Sequence, residues 1–356
     1  MKPFAAGIAS VVFAVCVGAA VISAAHARGP KITVVALIPA QASEAGRLRE
    51  VAVLPFEGTG GKEMAGSVEA VLTGIRLDDT QYFKVGERAR LDSLLDEIRR
   101  SQSRLNSQDQ ALQAGKLMGV KGLYGGTVAA PLWSQSNSQE QRQVCAKREN
   151  KNNLKGWLGL GKCESWQTVN ASCVKKAVVF SFKPRLIEIE TGLIVYSDEL
   201  KGAAKMAHCS DSSAPAPSDE ALIDEARGVA LARFRNAVAP SYRNIDIELI
   251  DSGRVVQDKA ARLRYDSAIE FAKAKRLDRA CELWREVESL EPPTMPVLYS
   301  LGVCAEVAGN LTASEDLYRK ADRLLQKPDS RVSAALERIA KAKRDSVLLG
   351  AQRGGE

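Results

Sequence analysis

The residues best suited to chemistry lie in two places. The first is "VAVLPFEGTGGKEMAGSVEAVL", Val51 to Leu72, where a glycine-rich turn separates an apolar strand from an amphipathic helix. That layout can hold phosphate at a helix N-terminus. The residues do not fit the task. Gly61-Lys62 is followed by Glu63 instead of a magnesium-binding hydroxyl, and Phe56 stands where the first glycine belongs. Gly58, Gly60 and Gly61 also miss the dinucleotide spacing, so the stretch reads as a turn between strand and helix. The second place is His208-Cys209, a base and a nucleophile by type. Adjacent residues on a chain rarely face each other productively, and Ser and Asp crowd the segment. No catalytic, cofactor-binding or metal-ligating residue is assigned, and no cofactor is expected. The chain reads as a non-enzyme; a periplasmic enzyme with an unrecognised site is the alternative.

Six cysteines remain once Cys16 is set aside: Cys145, Cys163, Cys173, Cys209, Cys281 and Cys304. No two form a C-x-x-C pair, and His208 is the one histidine outside the N-terminal run, so zinc ligation lacks its close-spaced ligands. Lys2, a long apolar run and Ala25-His26-Ala27 form the pattern of a secretory signal covering 1–27, cleaved between Ala27 and Arg28. The run is also long enough to span a bilayer, which keeps a retained anchor as the alternative. In an exported chain an even cysteine count favours disulfides. Cys145 and Cys163 flank a polar loop. Cys173 and Cys209 are nearly equidistant from a turn at Thr191-Gly192, which makes them the best single pairing. Cys281 and Cys304 fit either a bond or two buried thiols.

The elements that must position these residues alternate between strand and helix over 46–252. Strands are expected at Val51–Phe56, Phe83–Val85 and after Gly119, and helices through Met64–Ile75, Leu91–Ile98 and Ala111–Met118. A long strand carries Val178, Phe180 and Phe182 on one face. Its apolar phase shifts after Pro184-Arg185 to Ile187 and Ile189, which predicts a bulge there. Thr191-Gly192 reads as a two-residue hairpin turn. Ser218 caps a helix carrying Leu222, Ala226, Val229 and Phe234, and "IDIEL" at 245–249 closes the α/β part as a strand buried on one face. The net charge of +7 is spread over mixed charges with no Lys/Arg block, and nucleic acid is not an expected partner.

The segments "VAVLPFEGTGG", "FKVGERARLDSLLDEIRRSQS", "LMGVKGLYGGTV" and "RLIEIETGLIVYSDELKG" together resemble the domain shared by the curli secretion channel CsgG and LpoB-type cell-envelope proteins. The resemblance covers roughly 200 residues in order. It implies an exported, non-enzymatic protein of the bacterial periplasm or outer membrane, accessory to secretion, surface-structure assembly or peptidoglycan-synthase activation. The chain departs from the channel at about 131–175. Where a pore needs roughly ten-residue strands of alternating polarity, a polar hairpin pinned by cysteines stands instead.

Residues 261–328 repeat at a 34-residue offset. Ala268 and Gly302, Ala280 and Ser314, Trp284 and Tyr318, and Val287 and Ala321 take equivalent places, resembling tetratricopeptide repeats with a capping helix near Ser330–Leu348. Such repeats imply a concave surface for a protein or peptide partner.

The expected fold is therefore α+β/α/β: a mixed sheet with packed helices over 28–252, carrying the cysteine-containing hairpin, followed by an all-α repeat solenoid over 253–350. The expected protein is periplasmic, with association with the outer membrane as the alternative, and works with envelope-assembly proteins; oligomers remain open. It touches membrane only by association or through a retained anchor. Synthase activator and secretion-channel subunit are its alternatives.

Overall fold

The computed structural model describes residues 29–101, 105–148, 162–251 and 256–353; the expected leader and its Ala27–Arg28 junction lie outside them. In chain order the elements are β1 (Lys31–Ile38), α1 (Ser43–Arg47), β2 (Glu50–Val53), β3 (Glu57–Gly58), α2 (Gly61–Gly74), β4 (Arg76–Leu77), β5 (Thr80–Gln81), β6 (Lys84–Val85), α3 (Arg88–Ser101), α4 (Ser107–Met118), β7 (Gly122–Val128), β8 (Leu132–Arg148), β9 (Cys163–Glu188), β10 (Ile194–Ser197), β11 (Leu200–Cys209), α5 (Asp219–Val238) and β12 (Ser241–Glu248). Five helices follow: α6 (Lys259–Lys273), α7 (Leu277–Leu290), α8 (Met295–Val307), α9 (Leu311–Arg323) and α10 (Ser330–Arg353).

The central sheet runs β10-β9-β7-β2-β6, with β8 and β11 also on β9 and β3 on β7. It is mixed: β2 lies parallel to β6 and β7, while β7 and β9 are antiparallel. Short apolar runs without alternation predict strands covered on both faces, and β2 shows why. Val51 and Val53 face one core with α2 and α5, whereas Ala52 faces the other with α3 and α4. The helices start and stop on local signals. Asn106 and Ser218 accept N-cap bonds from Asp109 and Ala221, and Gly119 ends α4 in the left-handed region.

The glycine-rich loop after β2 is built for backbone contact. A Cβ on Gly58 would lie 2.2 Å from the Val128 carbonyl oxygen, and Gly60 takes φ +72° as the residue before α2. Its glycines serve the turn.

Two local expectations are corrected. β9 runs unbroken through Pro184 and Arg185 in constant register with β7, and the register shift lies in β10, between Ile194 and Tyr196. Phe180, Phe182, Pro184 and Leu186 keep one buried face throughout, while the other face is exposed at Lys183 and Arg185 and is covered only at Ile189, just beyond the strand, by the second core. The turn is also longer than two residues. Its first pair is Ile187 with Ile194, and the Gly192 N–H donates to the Glu188 carbonyl.

β12 leaves the central sheet. Among the described residues it pairs only with β1, a strand the sequence pattern did not mark, and the two form a separate antiparallel ribbon. The buried face expected of "IDIEL" exists, but Ile247 and Leu249 face the core of the C-terminal helices, together with Ile32 and Ile250. That core thus draws on residues before the expected boundary at 252–253. Within it the 34-residue offset holds: Ala268 and Gly302, Ala280 and Ser314, Trp284 and Tyr318, and Val287 and Ala321 are all buried. At Gly302 a methyl group would lie 2.6 Å from the Tyr318 ring.

Candidate interaction site

The six cysteines form three disulfides: Cys145–Cys163, Cys173–Cys209 and Cys281–Cys304. Each lies where the fold has already brought two elements together. Cys173 and Cys209 are directly opposed in the register of β9 with β11. Cys145 and Cys163 join β8 to β9 near a register shift, and Cys281–Cys304 joins α7 to α8.

Charged groups cover the second bond. Arg142 donates to the Cys209 Sγ at 3.0 Å and to Glu140 at 3.1 Å, and pairs with Asp211 at 3.6 Å. Lys175 lies 2.9 Å from the other Glu140 oxygen. The hydrogen bond from Lys175, followed by that from Arg142, holds the Glu140 carboxyl below its ordinary value of 4.5. Ligand-type atoms of Glu140, Cys173 and Cys209 fall within 4.8 Å of one another. With both sulfurs joined and a guanidinium against them, the group offers no thiolate to a metal. His208 does not activate its neighbour either: Cys209 is in the disulfide, and the His208 Nε2 sits 2.9 Å from the Ala214 carbonyl oxygen.

Beyond Ser172 the strands β8 and β9 pair with no other strand among the described residues, and they project from the sheet as an arm. Its register puts Gln139, Gln141 and Gln143 on one face with Ser172, Asn170 and Thr168. Glu140, Arg142 and Val144 share the opposite face with Ala171, Val169 and Gln167. The first face is polar, the second mixes charged and amide groups with Val144, Val169 and the buried Ala171, and Trp166, opposite Cys145, is 61% exposed. Lys147 and Glu164 pair at 2.8 Å close to the first disulfide. The arm is a stiffened, largely polar projection.

The C-terminal helices hold an extended segment of their own chain. The Tyr265 hydroxyl donates to the Ile250 carbonyl at 2.5 Å, and the Tyr299 hydroxyl to the Glu248 carbonyl at 2.8 Å. Burial pushes the Tyr299 hydroxyl up to about 12, so both stay protonated donors at neutral pH. These tyrosines stand at the same place in successive 34-residue units, and their acceptors are two residues apart on an extended chain. The sequence carries this signal in the Tyr265–Tyr299 spacing, although it does not name the acceptor.

No family model matches the chain, and none of the curated proteins matches it. Among solved structures the chain is similar to the C-terminal domain of LpoB from Salmonella enterica, with 11% identity, a TM-score of 0.21, and coverage of 43% of this chain and 82% of that one.

Proposed function

We propose that this is an exported, non-enzymatic interaction protein of the bacterial cell envelope, accessory to assembly or secretion of a surface or envelope structure. The observation that carries the reading is the β8–β9 arm. It projects past the sheet, exposes a polar face and Trp166, and is cross-linked at its base and again between Cys145 and Cys163. A largely polar ribbon with little core is a costly feature in a protein that works alone. A stiff arm loses little entropy on docking, which suits it to hold a partner. Three disulfides suit an oxidising compartment, in line with a periplasmic site of action. Within this class, activation of a peptidoglycan synthase would use the arm as a contact, as would work beside a secretion complex.

Photo-crosslinking in living cells tests the reading. A photoreactive residue in place of Trp166 should give one discrete adduct containing an envelope protein, and the same residue in place of Leu193 should not. If the two positions capture the same mixture, the arm is no docking element and the proposal fails.

A further inference from the structure

A groove of about 740 Å³ runs between the β1–β12 ribbon and α10. α10 lies alongside β1: Arg331 and Lys31 line one cleft at one end, and Gln352 meets Ala40 at the other. Between these contacts six consecutive residues, Thr33 to Ile38, form one wall. Leu277, Val307, Leu311, Ala342 and Leu349 supply apolar surface on the helical side. Alternate residues share a face of a strand, so six in a row line a groove when the strand offers its edge as well as a face.

That edge is open. Among the described residues β1 pairs with β12 alone, so on its other side every second residue aims an N–H and a C=O away from the ribbon. Two residues past the end of β1, a side chain of α10 already bonds the backbone at Ala40. The buried Gln352 amide takes the Ala40 N–H at 3.1 Å and donates to its carbonyl at 3.3 Å, the pair of bonds a neighbouring strand would make. No strand does this for residues 33–38 among the described residues.

The charges of the groove narrow the occupant. Glu306 holds Arg338 at 2.6 Å, and Lys341 holds Asp345 at 2.5 Å. Arg243 is left without a carboxylate among the described residues, and it lies near Arg235, a second arginine that burial and Arg243 both disfavour as a cation. A carboxylate brought to Arg243 would relieve this repulsion.

We infer that the groove takes an extended segment of a partner polypeptide, which adds to β1 as a third strand, sets apolar side chains against Leu277, Val307 and Leu311, and brings an acidic side chain to Arg243. A small apolar molecule would fill the same space but leave the edge amides unpaired, and peptide backbone satisfies them. The site is separate from the arm, and either can fail alone.

The test uses the mature, oxidised full chain and a panel of fluorescein-labelled heptapeptides that alternate valine and threonine, with one glutamate moved along the sequence. Saturable binding by anisotropy is expected for at least one register. Methylating alternate backbone nitrogens of that peptide should abolish it. Arg243→Glu should weaken it by about fivefold, the scale of a rim ion pair, and exchanging the peptide glutamate for lysine should restore binding to that variant. Absence of saturable binding across the panel overturns the inference, as does equal binding of the methylated peptide. Sedimentation showing a dimer of the wild-type chain that Arg243→Glu disperses would assign the edge to a second copy and overturn it too.

Discussion

The distal β8–β9 arm and the β1–β12 ribbon are both pairs of strands outside the central sheet, and they are held by different forces. A two-stranded ribbon in water is marginal by itself. The arm has one polar and one mixed face and buries little beyond Ala171 beside the Cys173–Cys209 bond, and it carries disulfides at its base and between Cys145 and Cys163. The ribbon contains no cysteine. Its apolar face, with Ile32 and Ile247, is packed into the helical core, and two tyrosines bind its C-terminal extension. Cross-links thus stand where little core can be built, and packing holds the strands that have an apolar face to bury.

The largest expected effect lies on the packed side. Tyr299→Ala should cost about 3–5 kcal/mol by emptying a fully buried aromatic site, read from the urea midpoint. Tyr299→Phe keeps the ring and removes the hydroxyl with its bond to Glu248 and its interaction with Arg338, and should cost about 1 kcal/mol. Equal losses from the two variants would mean that the hydroxyl, and not packing, fixes the ribbon. The cross-linked side should respond locally. Loop entropy for the Cys145–Cys163 bond, with a separation of 18 residues, is worth about 3 kcal/mol. Replacing both cysteines with serine should therefore speed hydrogen exchange in the arm while the main unfolding transition stays in place. A cooperative drop of the whole protein by that amount would show that the arm belongs to the same folding unit as the core.

The smallest effect is acidic. A carboxyl whose pKa falls on folding stabilises the fold above its unfolded value, and that contribution disappears as pH drops through the folded value. Glu140 is such a group, lowered from 4.5 by Lys175 and Arg142. Arm protection should weaken as pH falls below 4.5, and Glu140→Gln should flatten that dependence. A slope unchanged in the variant would place the acid sensitivity elsewhere. Because about a third of the Glu140 side chain meets solvent, added salt should shrink the effect.

Much of the α/β part was legible because its signals are local. The cap at Ser218, the stop at Gly119 and the apolar runs mark elements within a few residues of themselves. The opposition of Cys173 and Cys209 was legible too, since both are tied to one turn, even though that turn is longer than expected. The supposed bulge at Pro184-Arg185 failed for a definite reason: the second face of β9 turns from exposed at Lys183 and Arg185 to covered at Ile189, so the apolar shift marks where that face meets a core and carries no register information. β1 escaped notice because "KITVVALI" has no turn signal beside it, and its partner lies far along the chain.

The sequence by itself determined which residues share a face, where helices begin and end, and that residues 34 apart in the last hundred occupy equivalent places. Periodicity and capping are written within one or two turns of chain. Tertiary structure alone decided which core each face would meet. Gly29 bonds to the Glu248 side chain 219 residues away, and Ala40 pairs with Gln352 across 312. These contacts lay the chain's own strand across the C-terminal helices and leave the edge of β1 open beside α10. No local pattern encodes such a choice, because the alternation of Ile245 and Ile247 fixes a buried face without specifying what buries it.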